Sequence, residues 1–216
     1  AFAINVFLYQ FGGDLWRYTD DPEYAGAAIG LDTDIALNAF QFCSRLYTDY
    51  SFPTAFDGPN RLRTGEIPIL IADYATTYNT LVVFATEIRG LWAFTNIPGM
   101  VREDGTVNND SFVTVTATVM LHGCESPEAT WEYMKWQAGG AVQAQYGNEM
   151  VALVGPAAKY DSANIQALAE LSWSASELSG LLEQFENLSA IPNYPGSYII
   201  ARYTNFAFLD AYNDGE

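Results

Sequence analysis

Apolar positions recur at helical spacing from Thr33 to about Tyr50, where Ile35, Ala39, Phe42, Leu46 and Tyr50 fall on one side. That pattern predicts an amphipathic helix with Asp32 as its N-cap and Pro53 ending the segment. Upstream, INVFLYQFGGDLW reads as a short helix or a buried run broken at Gly12-Gly13, and the polar stretch Arg17–Gly30 reads as a loop. Three runs suit strands. Ile67–Ala72 is unbroken in its apolar character, as in a strand covered on both faces. Leu91–Ile97 alternates and is closed by Pro98-Gly99, and Phe112–Leu121 is β-branched and alternating. Between the last two, Arg102–Asp110 is a turn-rich loop.

Helices follow the remaining patterns. Thr76–Phe84 is predicted helical, its threonines notwithstanding. Ser126-Pro127-Glu128 opens another helix with a serine cap, a proline in the first turn and an early acid. A shorter helix is expected around Ala141–Tyr146, and a further one from Ser162 to about Leu171. Ser174-Ala175-Ser176-Glu177 is a capping box for a helix reaching about Glu186. A proline-marked link, Ile191–Pro195, leads into a final segment over Gly196–Tyr212. Helices mixed with a few isolated strands predict an α/β class in which helices dominate.

Composition narrows the function classes. Half of the 216 residues are hydrophobic, which fits a folded globular chain. No apolar run approaches the roughly 20 residues that span a bilayer. The start, AFAINVFLYQ, lacks a signal peptide's basic stretch and cleavage site, and it begins inside an apolar run without an initiator Met. It reads as a mature or excised segment. A net charge of −17 argues against nucleic acid and anionic lipid as partners, since neither meets a basic face. Cys43 and Cys124 leave two readings, a disulfide or two separate thiols. His122 is the only histidine and no cysteine pair has ligand spacing, so neither a metal nor a cofactor is expected. Fourteen tyrosines and five tryptophans exceed what a core of this size requires, so some of them are expected to line a site.

Four stretches carry a resemblance. They are FLYQFGGDLW ahead of a helix ending in RLYTDY, RTGEIPILIADYATTYNTL, GLWAFTNIPG followed by a strand and SPEATWEYMKWQ, and PGSYIIARYTNFAF. In that order the chain resembles the C-terminal portion of an extracellular solute-binding protein of the carbohydrate type (family 1) that serves ABC transporters. The resemblance implies a type II periplasmic-binding-protein-like lobe, helix-rich with a small mixed sheet, and an N-terminal lobe largely missing. It further implies that residues 1–109 begin the C-terminal lobe, that 110–155 make an excursion packing with the N-terminal lobe, and that 156–216 return. A carbohydrate or oligosaccharide held in an interlobe cleft, permease subunits as partners, a monomer, and an extracellular, lipoprotein-anchored location are what it leads us to expect.

A sugar offers hydroxyls in fixed directions and C–H patches on each ring face, which planar polar groups and aromatic faces meet. Asp73 ends the first predicted strand, where it is either a cleft contact or an N-cap. Tyr74 and Tyr78, four apart, are either a stacking pair or lobe packing, and the resemblance favours the first. Trp16 follows the double glycine as a comparable candidate, and the resemblance adds Tyr9 and Gln10 as polar cleft contacts. Arg202, one of seven arginines, sits in an apolar segment four residues after Tyr198; it either pairs with an acid or faces ligand hydroxyls, and Tyr198 joins it as a candidate. Trp92 and Phe94 alternate and are read as packing, as are Trp131 and Trp136. A glycan hydrolase is disfavoured because no nucleophile elbow, HExxH or usable histidine is present. The expectation is a non-enzymatic binding protein. The same fold with a peptide or other polar solute as cargo, and a surface glycan-binding or adhesion module, are the alternatives.

Overall fold

The computed structural model describes residues 2–18, 20, 27–102, 104–191 and 194–214. Its contacts divide the chain into two units: Ala1–Ala55, Ile97–Thr114 and Gln184–Glu216 form the first, and Phe56–Asn96 with Val115–Glu183 the second. The whole is a helix-rich α/β arrangement with small sheets.

In the first unit, α1 (Phe2–Gln10) packs on α2 (Asp34–Thr48). Leu8, Ala36 and Ala39 make the core of this contact, with Phe7, Phe11, Leu15 and Leu31 against it. The buried face of α2 is Ala36, Ala39, Cys43 and Ser44, rotated from the predicted one, and Ile35 and Tyr50 are exposed. Small residues win that face because they let α1 approach closely. Phe42 stays at its edge, meeting Phe7 and Phe11 at 5.0 and 5.8 Å between ring centroids. The N-cap is Thr33, whose hydroxyl accepts from the Ala36 N–H, while Asp32 pairs with Arg17 at 2.6 Å.

The predicted loop Arg17–Gly30 instead carries most of a hairpin, β1 (Trp16–Tyr18) antiparallel to β2 (Ala27–Ile29). Residues 19 and 21–26 of that loop lie outside the described residues. Gly30 closes the hairpin where a β-carbon would run into the Asp14 carbonyl. β3 (Met100–Val101) pairs antiparallel with β4 (Val107–Asn108), and β5 (Ser111–Val113) pairs parallel with β6 (Leu188–Ala190). Asn108 is buried and donates to the Tyr9 and Gln10 carbonyls at 3.1 and 2.9 Å, satisfying two groups that the end of α1 would otherwise leave open. α9 (Ser197–Asp214) leans on α2 through Phe208 and Tyr47, 4.9 Å apart.

The second unit is built from α3 (Gly58–Thr64), α4 (Tyr74–Phe84), α5 (Pro127–Gln137), α6 (Gly140–Val154), α7 (Ile165–Glu170) and α8 (Ala175–Phe185), which starts in it. α3 was not expected from sequence; Asp57 caps it, Pro59 lies in its first turn, and Gly65 ends it at φ 76°. The helix predicted around Ala141–Tyr146 extends to Val154. α7 is capped by Asn164 rather than Ser162, and α6 meets it over Ala144, Gly147, Ala167, Leu168 and Leu171. The capping box of α8 forms as predicted, with Glu177 N–H donating to Ser174 Oγ at 3.3 Å and Ser174 N–H to Glu177 Oε2 at 2.9 Å.

The predicted strands are the main correction. Ile67–Ala72 and Leu91–Ile97 are irregular, and only Phe112 and Val113 of the third run join a ladder. A strand persists only beside a neighbour, and none lies along Ile67–Ala72, Leu91–Ile97 or 114–121 among the described residues. Ile69, Ile71, Val115, Val119 and Leu121 are exposed as a result. Trp131 and Trp136 are likewise exposed instead of packed. Cys43 and Cys124 are free thiols, and His122 is exposed in a turn. No helix among the described residues is long and apolar enough to cross a membrane.

Candidate functional site

The start of α4 organises the second unit. Asp73 accepts the Thr76 N–H at 2.9 Å, so it caps the helix, and it remains exposed. Tyr74 and Tyr78 then project from one side of α4, and both reach Trp173, at 5.8 and 5.3 Å between centroids. Trp92 and Phe94 close on Tyr78 at 5.3 and 6.4 Å, which bears out their reading as packing residues. The Tyr74 hydroxyl donates to Asp161 in a short hydrogen bond. These five rings therefore pack on one another as one cluster.

Lys159 completes the cluster. Its ammonium lies 4.0 Å from the Trp173 ring centroid and 4.6 Å from that of Tyr78, and 3.3 Å from Glu177 Oε2. The side chain is only 8% exposed. Each such ring contact contributes about 0.5–2 kcal/mol, the larger values where water is excluded. Asn79 holds the segment in place by donating to the Lys159 carbonyl at 3.0 Å. Burial pushes the Lys159 ammonium below its ordinary pKa, and Glu177 opposes that shift. For Glu177, burial raises the pKa, but the Ser174 hydrogen bonds and Lys159 outweigh it and the carboxyl stays below its usual range. Lys159 and Trp173 were missed from sequence, and Glu177 was read only as half of a capping box; the available signal was that Lys159 is one of only two lysines in a strongly acidic chain.

Burial, and then the bond to Asp161, raise the Tyr74 phenol well above its ordinary value. A group whose folded pKa is raised contributes stability that is fully present below the unfolded pKa and is lost as pH climbs through the folded one. Unfolding free energy measured in urea is therefore expected to fall above about pH 10. Tyr74→Phe should cost about 1 kcal/mol at neutral pH and make that alkaline fall shallower. An unchanged slope would remove Tyr74 as its source.

Between α3 and α4 the same unit holds a groove of about 360 Å³, lined by Asp57, Pro59, Asn60, Arg63, Thr80, Leu81, Phe84 and Ala85. Arg63 is held in it by Asn60 Oδ1 and by Glu87, the latter at 2.6 Å. Of its five N–H donors, three are used by these bonds, which leaves two. Phe84 presents a ring that is 73% exposed. None of these residues was singled out from sequence, because α3 is too short to show a periodic pattern.

In the first unit, Tyr9 and Gln10 are buried, and the Gln10 amide donates to the Pro98 carbonyl at 2.8 Å. The Gln10 amide is thus engaged inside the unit rather than presented to a ligand. Trp16 is half-buried, edge-on to Tyr194 at 4.9 Å, and its indole N–H has no partner among the described residues. Tyr198 and Arg202 are exposed on α9, and the guanidinium lies 5.3 Å from the Phe206 centroid with no ion pair among the described residues. The structure thus brings Tyr74 together with Tyr78, and Tyr198 onto one side of α9 with Arg202. A cavity of about 50 Å³ beside Cys43, Ser44 and Thr204 is water-sized, and burial raises the Cys43 thiol to about 11. No cluster of potential metal ligands occurs among the described residues. No protein-family model matches the chain, and no curated protein matches it in sequence.

Proposed function

We propose that this chain is the substrate-binding component, or part of one, of an ABC importer, with a type II periplasmic-binding-protein-like fold and a carbohydrate or oligosaccharide as cargo. In this reading it works at the cell surface, in a lipoprotein-anchored form, and hands its cargo to permease subunits without making or breaking bonds. The α3–α4 groove is the observation that carries the reading. Small-molecule sites are concave, with volumes from about 300 Å³ upward, and combine apolar walls with a few placed polar groups. Asp57, Asn60 and Arg63 supply planar polar groups there, and Phe84 supplies a ring face. Arg63 is already oriented by its neighbours, so less freedom is lost when hydroxyls bind it. Arg202 and Tyr198 offer the same chemistry on α9, with the guanidinium free of ion pairs among the described residues.

Thermal-shift and calorimetric titration with mono- and oligosaccharides tests the proposal. Arg63→Ala is expected to weaken sugar binding by roughly 10-fold or more, the worth of a charge-assisted hydrogen bond. Arg202→Ala, assayed in parallel, reports whether α9 contributes. Saturable binding that neither substitution alters, or binding to no saccharide, would sink the reading.

A further inference from the structure

The Lys159 surroundings have the make-up of a ligand site, with the ligand supplied by the chain itself. Two aromatic faces and one carboxylate surround an ammonium group that water barely reaches. Aromatic faces attract cations through the negative charge on their faces, and an added carboxylate favours a cation over a neutral group of the same size. Two of the parts are also held by contacts that do not involve the cation. Trp173 is held by Tyr74, Tyr78 and Phe94, and Glu177 is held by its bonds to Ser174.

We infer that Tyr78, Trp173 and Glu177 form a binding site for organic ammonium ions, and that Lys159 is its tethered occupant. The class of ligand is a primary ammonium on a short alkyl stem, the shape of the lysine end itself. This inference does not rest on the carbohydrate reading, because it concerns a cation and residues outside the α3–α4 groove. A tethered group competes at an effective concentration of at least millimolar. Free ammonium ions therefore reach the box only weakly while Lys159 is present, and Lys159 controls access to it.

The chain has two lysines, and Lys135 is exposed beside Glu132, so it serves as an internal reference. In wild-type protein carrying isotope-labelled lysine, the Lys159 ε-methylene protons should resonate upfield of those of Lys135, shifted by the ring currents of Trp173 and Tyr78. Lys159→Ala removes the equivalent of propylammonium. Titrating that variant with propylammonium chloride should raise its melting temperature saturably, with 1-propanol and sodium chloride as controls that do not. Wild type should need about tenfold more of the ion for the same response. Should Lys159→Ala be unfolded, recovery of its fold on adding propylammonium supports the site by the same linkage, and failure to recover overturns it. Coincident signals for the two lysines, an equal effect of propanol, or an equal response of wild type would each overturn it too.

Discussion

Trp173→Ala should lower the stability of the protein by about 3–5 kcal/mol, the usual cost of deleting a buried indole. Trp173 is 9% exposed and joins Tyr74, Tyr78 and Phe94, so its removal leaves a cavity bordered by three rings at once. It also takes one aromatic face from Lys159, whose ammonium then keeps only Tyr78 and Glu177. In a chain of this length each kcal/mol moves the melting temperature by roughly 2–4 °C, so a fall of about 6–20 °C is expected in calorimetry. Trp173→Phe retains a ring and should lose much less. Equal losses for the two variants would mean that the indole makes no specific contribution.

Leu8→Ala should cost about 2–5 kcal/mol. Leu8 is 1% exposed and is the one large side chain in the core cluster between α1 and α2, where its buried neighbours are Ala36 and Ala39. Alanines cannot move inward to fill the space, because their methyl groups have no reach, so the void persists. Leu8→Met, nearly equal in volume, should cost under about 1.5 kcal/mol. Urea midpoints for the two variants check this, and a small loss for alanine would show that α1 is not anchored there.

How far the chain was legible depended on the range of the interaction. Ser174 and Glu177 announce α8 because both halves of the capping box lie within one turn. The extent of α2 was legible too, but not its buried side: alanines and a cysteine pack closely where larger residues stay at the margin. Ile67–Ala72 and most of Phe112–Leu121 have strand composition without a strand, since pairing depends on a neighbour that local sequence does not specify. Of the candidate site, Tyr74 and Tyr78 were correctly placed on one side of α4, and Arg202 and Tyr198 proved exposed. Lys159 and Trp173 are 14 positions apart, with no periodicity linking them, so only the folded chain reveals their contact. The helix between Asp57 and Gly65 was not read from sequence, because its seven residues are too few to show a periodic pattern.

The run from Ser111 to Leu121 carries no charge, and most of it stands exposed in a protein whose net charge is −17. Uncharged, β-branched segments without proline are the kind that template cross-β stacking. Mutual repulsion between chains of net charge −17 opposes such joining, and it acts over a Debye length of about 8 Å at physiological ionic strength. Colloidal behaviour is thus tied to the counter-ion atmosphere: concentrated salt collapses the repulsive shell and leaves the valine and threonine ridge free to zip to its own copy.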